Sequence, residues 1–180
     1  MAGYRPVNFP IPKTSHPWSA TMTKSKQMYL KFVDANVQGT ITLYWDTAPQ
    51  TCKALWGALK KPIRWDASHA MFSGPEIMMG LPEYAQTFDP RKLPPENQTV
   101  QPDPGELLWF YQPKNFFKND PSEFWEIGMF YDAGGRTFGP TGWIPCTYWG
   151  KMTEGLDEIA KQCRLIRREG VKTVEIGRLP

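Results

Sequence analysis

Cysteine and histidine are scarce in this chain, with three and two among 180 residues. Cys52, Cys146 and Cys163 are odd in number and show no Cys-x-x-Cys spacing, which argues against a disulfide framework or a zinc ribbon. Residues 1–14 lack the apolar core of a secretory leader, so the thiols are expected to be reduced and the protein cytoplasmic. His16 and His69 lie far apart, and carboxylates at metal-ligating spacing are missing, so no metal and no cofactor is expected. Charge of one sign is also lacking: the net charge is +3, too small to point to nucleic acid. Basic residues gather near the C-terminus (Lys161, Arg164, Arg167, Arg168 and Lys172), but no aromatic platform is interleaved with them. They read as a solvated helix face. No apolar run reaches spanning length, which excludes a membrane helix from the expectation. There is no internal repeat and no low-complexity tract. Asn97-Gln98-Thr99 fits the glycosylation acceptor pattern, but without an export signal it reads as chance.

Proline and tryptophan, by contrast, are abundant, at 18 and eight residues. Many prolines suit stiff loops rather than long helices. Many tryptophans suit a core or cavity wall that needs large rigid surfaces with a polar edge. Residues 1–25 carry four prolines and no hydrophobic period, and read as an extended arm that wraps the domain or reaches a second copy in a homo-oligomer. Residues 26–180 read as one domain, with length enough for a sizeable core. Met28–Val33 has strand composition, and from Gly39 the chain alternates apolar and polar positions, so the two segments predict a hairpin. Asp46-Thr47-Ala48-Pro49 predicts a helix start capped by Asp or Thr. Cys52, Leu55, Trp56 and Leu59 then fall on one apolar stripe, which makes Cys52 a packing thiol. Short strands are expected around Ser68–Phe72 and Ile77–Met79, with a turn at Ser73-Gly74-Pro75. Residues 82–104 form a proline-rich insertion, of the length that is usually functional or mobile. Strands are expected at 105–111, 124–131, 143–149 and 171–176, and a helix over 155–169. Many short strands with two isolated helices predict a mainly β protein: a closed antiparallel barrel with the helices over its openings, since closure removes exposed edges.

The run from Gly39 through Trp45-Asp46-Thr47-Ala48-Pro49-Gln50-Thr51-Cys52 to Leu55 resembles the hairpin-to-helix segment of cyclophilins. A closer resemblance is to a bacterial family of cyclophilin-like domains of unknown function. Its His-Ala-x-x-Ser-Gly-x-Glu segment is matched by His69 to Glu76, and its Pro-Gly-(Asp/Glu)-Leu-Leu strand by Pro104 to Leu108. Its terminal strand-helix-strand unit is matched by Gly150 to Ile176. The resemblance covers residues 28–176 apart from the insertion, and implies a barrel of about eight strands with two capping helices. It does not bring prolyl isomerase activity with it. Cyclophilins carry Phe-His-Arg and a later Gln-Gly-Gly; here no arginine follows His69-Ala70, and Glu76-Ile77-Met78-Met79 stands in place of the glutamine motif.

His69 and Glu76 are the leading candidates for chemistry. Folded back on each other across the turn, they would form a general acid/base couple near neutral pH, with Ser73 holding a substrate carboxylate or carbonyl. The plainer alternative is a histidine satisfied by a buried hydrogen bond and a glutamate on an outer face. Tyr131, Asp132 and Arg136 with the glycines after them form a second cluster, in which Arg136 would clamp a carboxylate; the alternative is a flexible hairpin connection. Cys146 as a nucleophile would need a base that only the two histidines offer, so a core thiol is the simpler reading. Trp143, Tyr148 and Met78 are expected beside a cavity. The sequence therefore predicts a small-molecule site, a hydrolase or isomerase of a nitrogen-containing, carboxylated or cyclic amide metabolite. The alternatives are a non-catalytic ligand-binding or assembly protein and, third, a prolyl isomerase.

Overall fold

The computed structural model describes residues 26–180; the arm expected over 1–25 lies outside them. Eleven strands and two α-helices follow in order: β1 (Gln27–Phe32), β2 (Val37–Leu43), α1 (Pro49–Ala58), β3 (Ile63–His69), β4 (Glu76–Gly80), β5 (Gln98–Thr99), β6 (Glu106–Gln112), β7 (Phe124–Phe130), β8 (Phe138–Gly139), β9 (Gly142–Trp143), β10 (Cys146–Glu154), α2 (Leu156–Glu169) and β11 (Lys172–Arg178). Eight of the strands close a barrel in the order β2-β1-β11-β3-β4-β7-β6-β10, and β10 pairs back onto β2. Every pairing is antiparallel. The mainly β, closed antiparallel barrel with two helices is thus present, and the expected β1–β2 hairpin pairs from Gln27↔Thr42 to Phe32↔Val37.

Alternation sorts the strand residues into two sets. Ile77 and Met79 of β4, Ile127 and Met129 of β7, and Leu107 and Trp109 of β6 point inward and belong to one core shared with β1, β2 and β11. Fully burying side chains of this size stabilises by about 1.5–3 kcal/mol each before the entropy of ordering is subtracted. Cys52 and Leu55 of α1 and Ile159 and Cys163 of α2 join the same core, so the helices close the barrel. Helix α2 carries Asp157 and Glu158 in its first turn and Arg167 and Arg168 in its last, each sign placed to suit the helix dipole. The Cys52 thiol donates to the Trp149 carbonyl at 3.1 Å, and burial pushes its pKa up to about 12, as befits a packing residue.

Three local expectations are corrected. Helix α1 takes no cap from Asp46 or Thr47: Ala48 stands at its N-cap without a side-chain bond. Glu96, from the proline-rich insertion, does the work instead. Its carboxylate accepts from the backbone N–H of Gln50 at 3.1 Å and of Thr51 at 2.9 Å, and from the Thr51 hydroxyl at 2.9 Å. Strand β3 begins at Ile63 rather than Ser68, because it pairs along β11 from Ile63↔Ile176 onward. Strand β10 runs on to Glu154, since its second half closes the barrel against β2.

The insertion is fastened to the barrel at several points. Ala85 is buried, and Phe88 packs at a steep tilt against Trp109 and Trp125 with ring centroids 5.4 Å away in each case. Strand β5 pairs with Cys146 and Thr147 at the start of β10, the part that β2 does not reach. The Asn97 amide donates to the Tyr148 carbonyl at 2.9 Å, so the acceptor-like asparagine is occupied by a structural bond. No helix among the described residues is long and apolar enough to cross a membrane.

Candidate active site on the outer face of the barrel

The β3–β4 register separates the two leading candidates. His69 pairs with Ile77, whose side chain is in the core, so the imidazole lies on the inner face at the barrel's end, under α2. Glu76 is one residue out of phase and projects from the outer face. The expected His69–Glu76 couple across the turn is therefore absent. Instead His69 Nδ1 sits 2.8 Å from the Ala70 carbonyl, to which it donates, leaving Nε2 to accept from the Tyr131 hydroxyl at 2.7 Å and from Arg167 Nε at 2.9 Å. Burial, helped by the Arg167 charge, holds its pKa below the ordinary value, against the pull of the Ala70 carbonyl. Both ring nitrogens of His69 are engaged within the protein.

Tyr131 belongs to that inner cluster too, with the Arg164 guanidinium 5.9 Å from its ring centre. The Arg136 backbone N–H donates to the Ser73 carbonyl at 3.0 Å, which ties the glycine-rich loop to the β3–β4 turn, but its exposed side chain lies outside the cavity wall. Tyr131 is thus in the core while the Arg136 side chain is exposed on a loop.

Over the outer face of β4, β7 and β6 lies a cavity of about 180 Å³. Its floor is the strands themselves, where Glu76, Met78, Leu108 and Glu126 project outward. Its walls come from Phe117 in the β6–β7 loop, from Phe138 in the β8–β9 hairpin and from Ile144 just after it. The sequence had singled out Ser73, Glu76 and Met78, and all three line it. Tyr148 packs just beneath, in a small outer cluster with Leu108, Phe130 and Cys146. Trp143 is exposed and backs Phe138, with ring centroids 5.3 Å apart.

Glu126 is the residue that sequence reasoning missed. Glu76 is 2% exposed and Glu126 6%. Across β4–β7, Met78 pairs with Gly128, placing the two carboxylates on either side of that glycine. A Cβ on Gly128 would stand 2.5 Å from Glu76 Oε1 and 3.2 Å from Glu126 Oε1, so the two acids converge over the one residue that has no side chain. Burial raises the Glu76 pKa to about 7, with the Ser73 hydroxyl acting in the opposite sense. Burial and then the neighbouring Glu76 charge hold Glu126 well above the ordinary carboxylate range. Both carboxyl groups are thus held toward their protonated forms, and two acids this close resist ionising together.

Cys146 also lines the cavity, but burial, reinforced by the charges of Glu126 and Glu76, pushes its pKa up to about 12. It is a thiol rather than a thiolate nucleophile. The Thr137 side chain is buried beside Cys146 and Tyr148 and faces the cavity. Among the described residues no group of three or more His, Cys, Asp or Glu is arranged to hold a metal ion.

The closed barrel with its two helices has the architecture of the cyclophilin-like fold. The chain belongs to the family described as "Protein of unknown function (DUF3830)", which matches residues 30–177. Among solved structures it is similar to McbB in complex with tryptophan, at TM-score 0.58 and 18% identity, covering 84% of this chain and 44% of McbB. This chain thus spans less than half of McbB's length. It is also similar to the Mimivirus cyclophilin, at TM-score 0.51 and 14% identity, covering 85% of this chain and 87% of that one. The hypothetical protein AF2241 from Archaeoglobus fulgidus aligns at TM-score 0.48 and 18% identity, over 86% of this chain and 95% of that one. No curated protein matches the sequence.

Proposed function

We propose that the outer-face cavity is a small-molecule site in which Glu76 and Glu126 act together as general acid and base, serving an isomerase or hydrolase of a compact nitrogen-containing or cyclic amide metabolite. The observation that carries this is the convergence of two buried carboxylates over Gly128 on the floor of an apolar cavity. A carboxyl group whose pKa is lifted toward neutrality by an apolar site is suited to donate a proton, and its ionised neighbour to accept one. A cavity of about 180 Å³ is below the usual range for drug-sized ligands, which starts near about 300 Å³, and suits a single ring. McbB, less than half of which aligns with this chain, is known in complex with tryptophan, itself a ring compound bearing nitrogen.

Proton transfer has a direct readout. In D2O, a cyclic amide or hydantoin bound with its acidic ring C–H beside the carboxylates should exchange that hydrogen faster with the protein than without it, as followed by proton NMR. E76Q and E126Q should each lower the catalysed rate by about 10²–10⁴-fold, the usual share of a positioned acid or base. Binding without exchange would leave a non-catalytic ligand-binding protein, and exchange untouched by both substitutions would remove the pair from the chemistry. Prolyl isomerase activity finds less support, because among the described residues no arginine lines the cavity to polarise a prolyl amide; a proline-peptide assay is expected to show none.

A further inference from the structure

The cavity is one-sided in charge. Glu76 and Glu126 reach it, and among the described residues no lysine, arginine or histidine does. Its apolar wall is rich in phenylalanine, with Phe110, Phe117, Phe124 and Phe138 all contributing. Thr137 adds a buried hydroxyl whose oxygen can accept. Arg136, which the sequence offered as a clamp for a carboxylate, lies outside the lining.

These features rank possible occupants. An anionic ligand would meet two carboxyl groups and no counter-charge, in a site where burial makes like charges costly. A neutral ring would gain apolar contact and leave the carboxylate without an ionic partner. An organic ammonium gains on each count: its N–H groups donate to the carboxylates as charge-assisted bonds, the Thr137 oxygen accepts a further one, and phenyl faces attract the cation. The charges balance as well. A carboxyl pair holding one proton carries a single negative charge, which one ammonium neutralises.

We infer that the occupant of this cavity is a compact single-ring amine, bound as its ammonium ion against Glu76 and Glu126, and that carboxylated metabolites are excluded. This rests on the ligand-site reading above and narrows it, since the sequence had left a carboxylated substrate open.

Three probes of one size separate the cases: benzylamine, benzyl alcohol and benzoate, titrated into the full chain at pH 7 by calorimetry and ligand-observed NMR. Benzylamine should bind about tenfold or more tighter than benzyl alcohol, the difference expected of one charge-assisted hydrogen bond, and benzoate weakest. In E126Q, and separately in E76Q, the ratio of benzylamine to benzyl alcohol affinity should fall toward one. Filling the cavity with L108W should abolish binding of all three; I144W, at the wall rather than the floor, serves if that variant does not fold. Benzoate binding as tightly as benzylamine and displaced by benzyl alcohol would overturn the inference while leaving the cavity a ligand site. Failure of all three probes to bind the wild-type protein would remove the site reading itself, and the amine inference with it.

Discussion

At the scale of single residues, the account turns on what a glycine permits. Gly128 lies in a strand whose neighbours are bulky, and its missing side chain is the space in which Glu76 and Glu126 approach each other. The cost of that approach has a definite sign. Glu76 in the folded protein keeps its proton up to about pH 7, whereas its ordinary value is 4.5. The unfolded chain ionises first, so the wild-type protein loses stability as pH rises from about 4.5 to 7, by about 3 kcal/mol. Denaturant unfolding of wild type and E76Q should therefore give matching stabilities near pH 4, with E76Q the more stable at pH 8. His69, whose lowered pKa contributes the opposite slope, is common to both proteins. Parallel profiles would show that Glu76 is not buried as an acid. Glu76 was legible in the sequence as a chemical candidate, but its partner was chosen wrongly, because a one-residue change of phase across a hairpin decides which face a side chain takes. Glu126 was not singled out in the sequence. The signal that would have found it is the run Trp125-Glu126-Ile127-Gly128-Met129-Phe130, apolar on both faces: a strand covered on both sides must bury its glutamate.

At the scale of elements, both helices and most strands were legible, since 3.6- and 2-residue periods are written locally. Their ends were less so. Helix α1 was expected to cap itself from Asp46 or Thr47, yet it is capped by a carboxylate 45 residues away from Thr51. No local pattern encodes such a contact. It also explains why a proline-rich insertion of this length holds its place: Glu96 at one point, Asn97 at the next and Phe88 between two tryptophans fix it to the barrel. E96A should cost about 1–2 kcal/mol, as loss of an N-cap does, lowering Tm by about 2–8 °C for a chain of this size. E96Q, which keeps an acceptor and loses the charge, should recover part of it. Thermal unfolding followed by circular dichroism checks both, and an unchanged Tm in E96A would mean that water caps α1 equally well.

At the scale of the whole molecule, the closed barrel turns one sheet into two different surfaces. Its inside is a continuous apolar core sealed by α1 and α2, and there His69 and Tyr131 end as structural partners. Its outside is the platform for the cavity, roofed by the β6–β7 loop and the β8–β9 hairpin. The architecture followed from the order of short strands and two helices; the position of the site did not, because both loops are placed by contacts between segments distant in sequence. The central claim is that Glu76 and Glu126 share a proton on that platform. Carbon-13 NMR of the protein labelled at the glutamate side-chain carboxyl carbons, titrated from pH 3 to 9, tests it most directly. The account predicts two carboxyl signals that titrate above the rest, that of Glu76 near pH 7, and a lowered titration of Glu126 in E76Q once the neighbouring charge is gone. If every glutamate titrates near 4.5, or if Glu126 is indifferent to E76Q, the two acids do not form a pair and the proposed chemistry has no foundation.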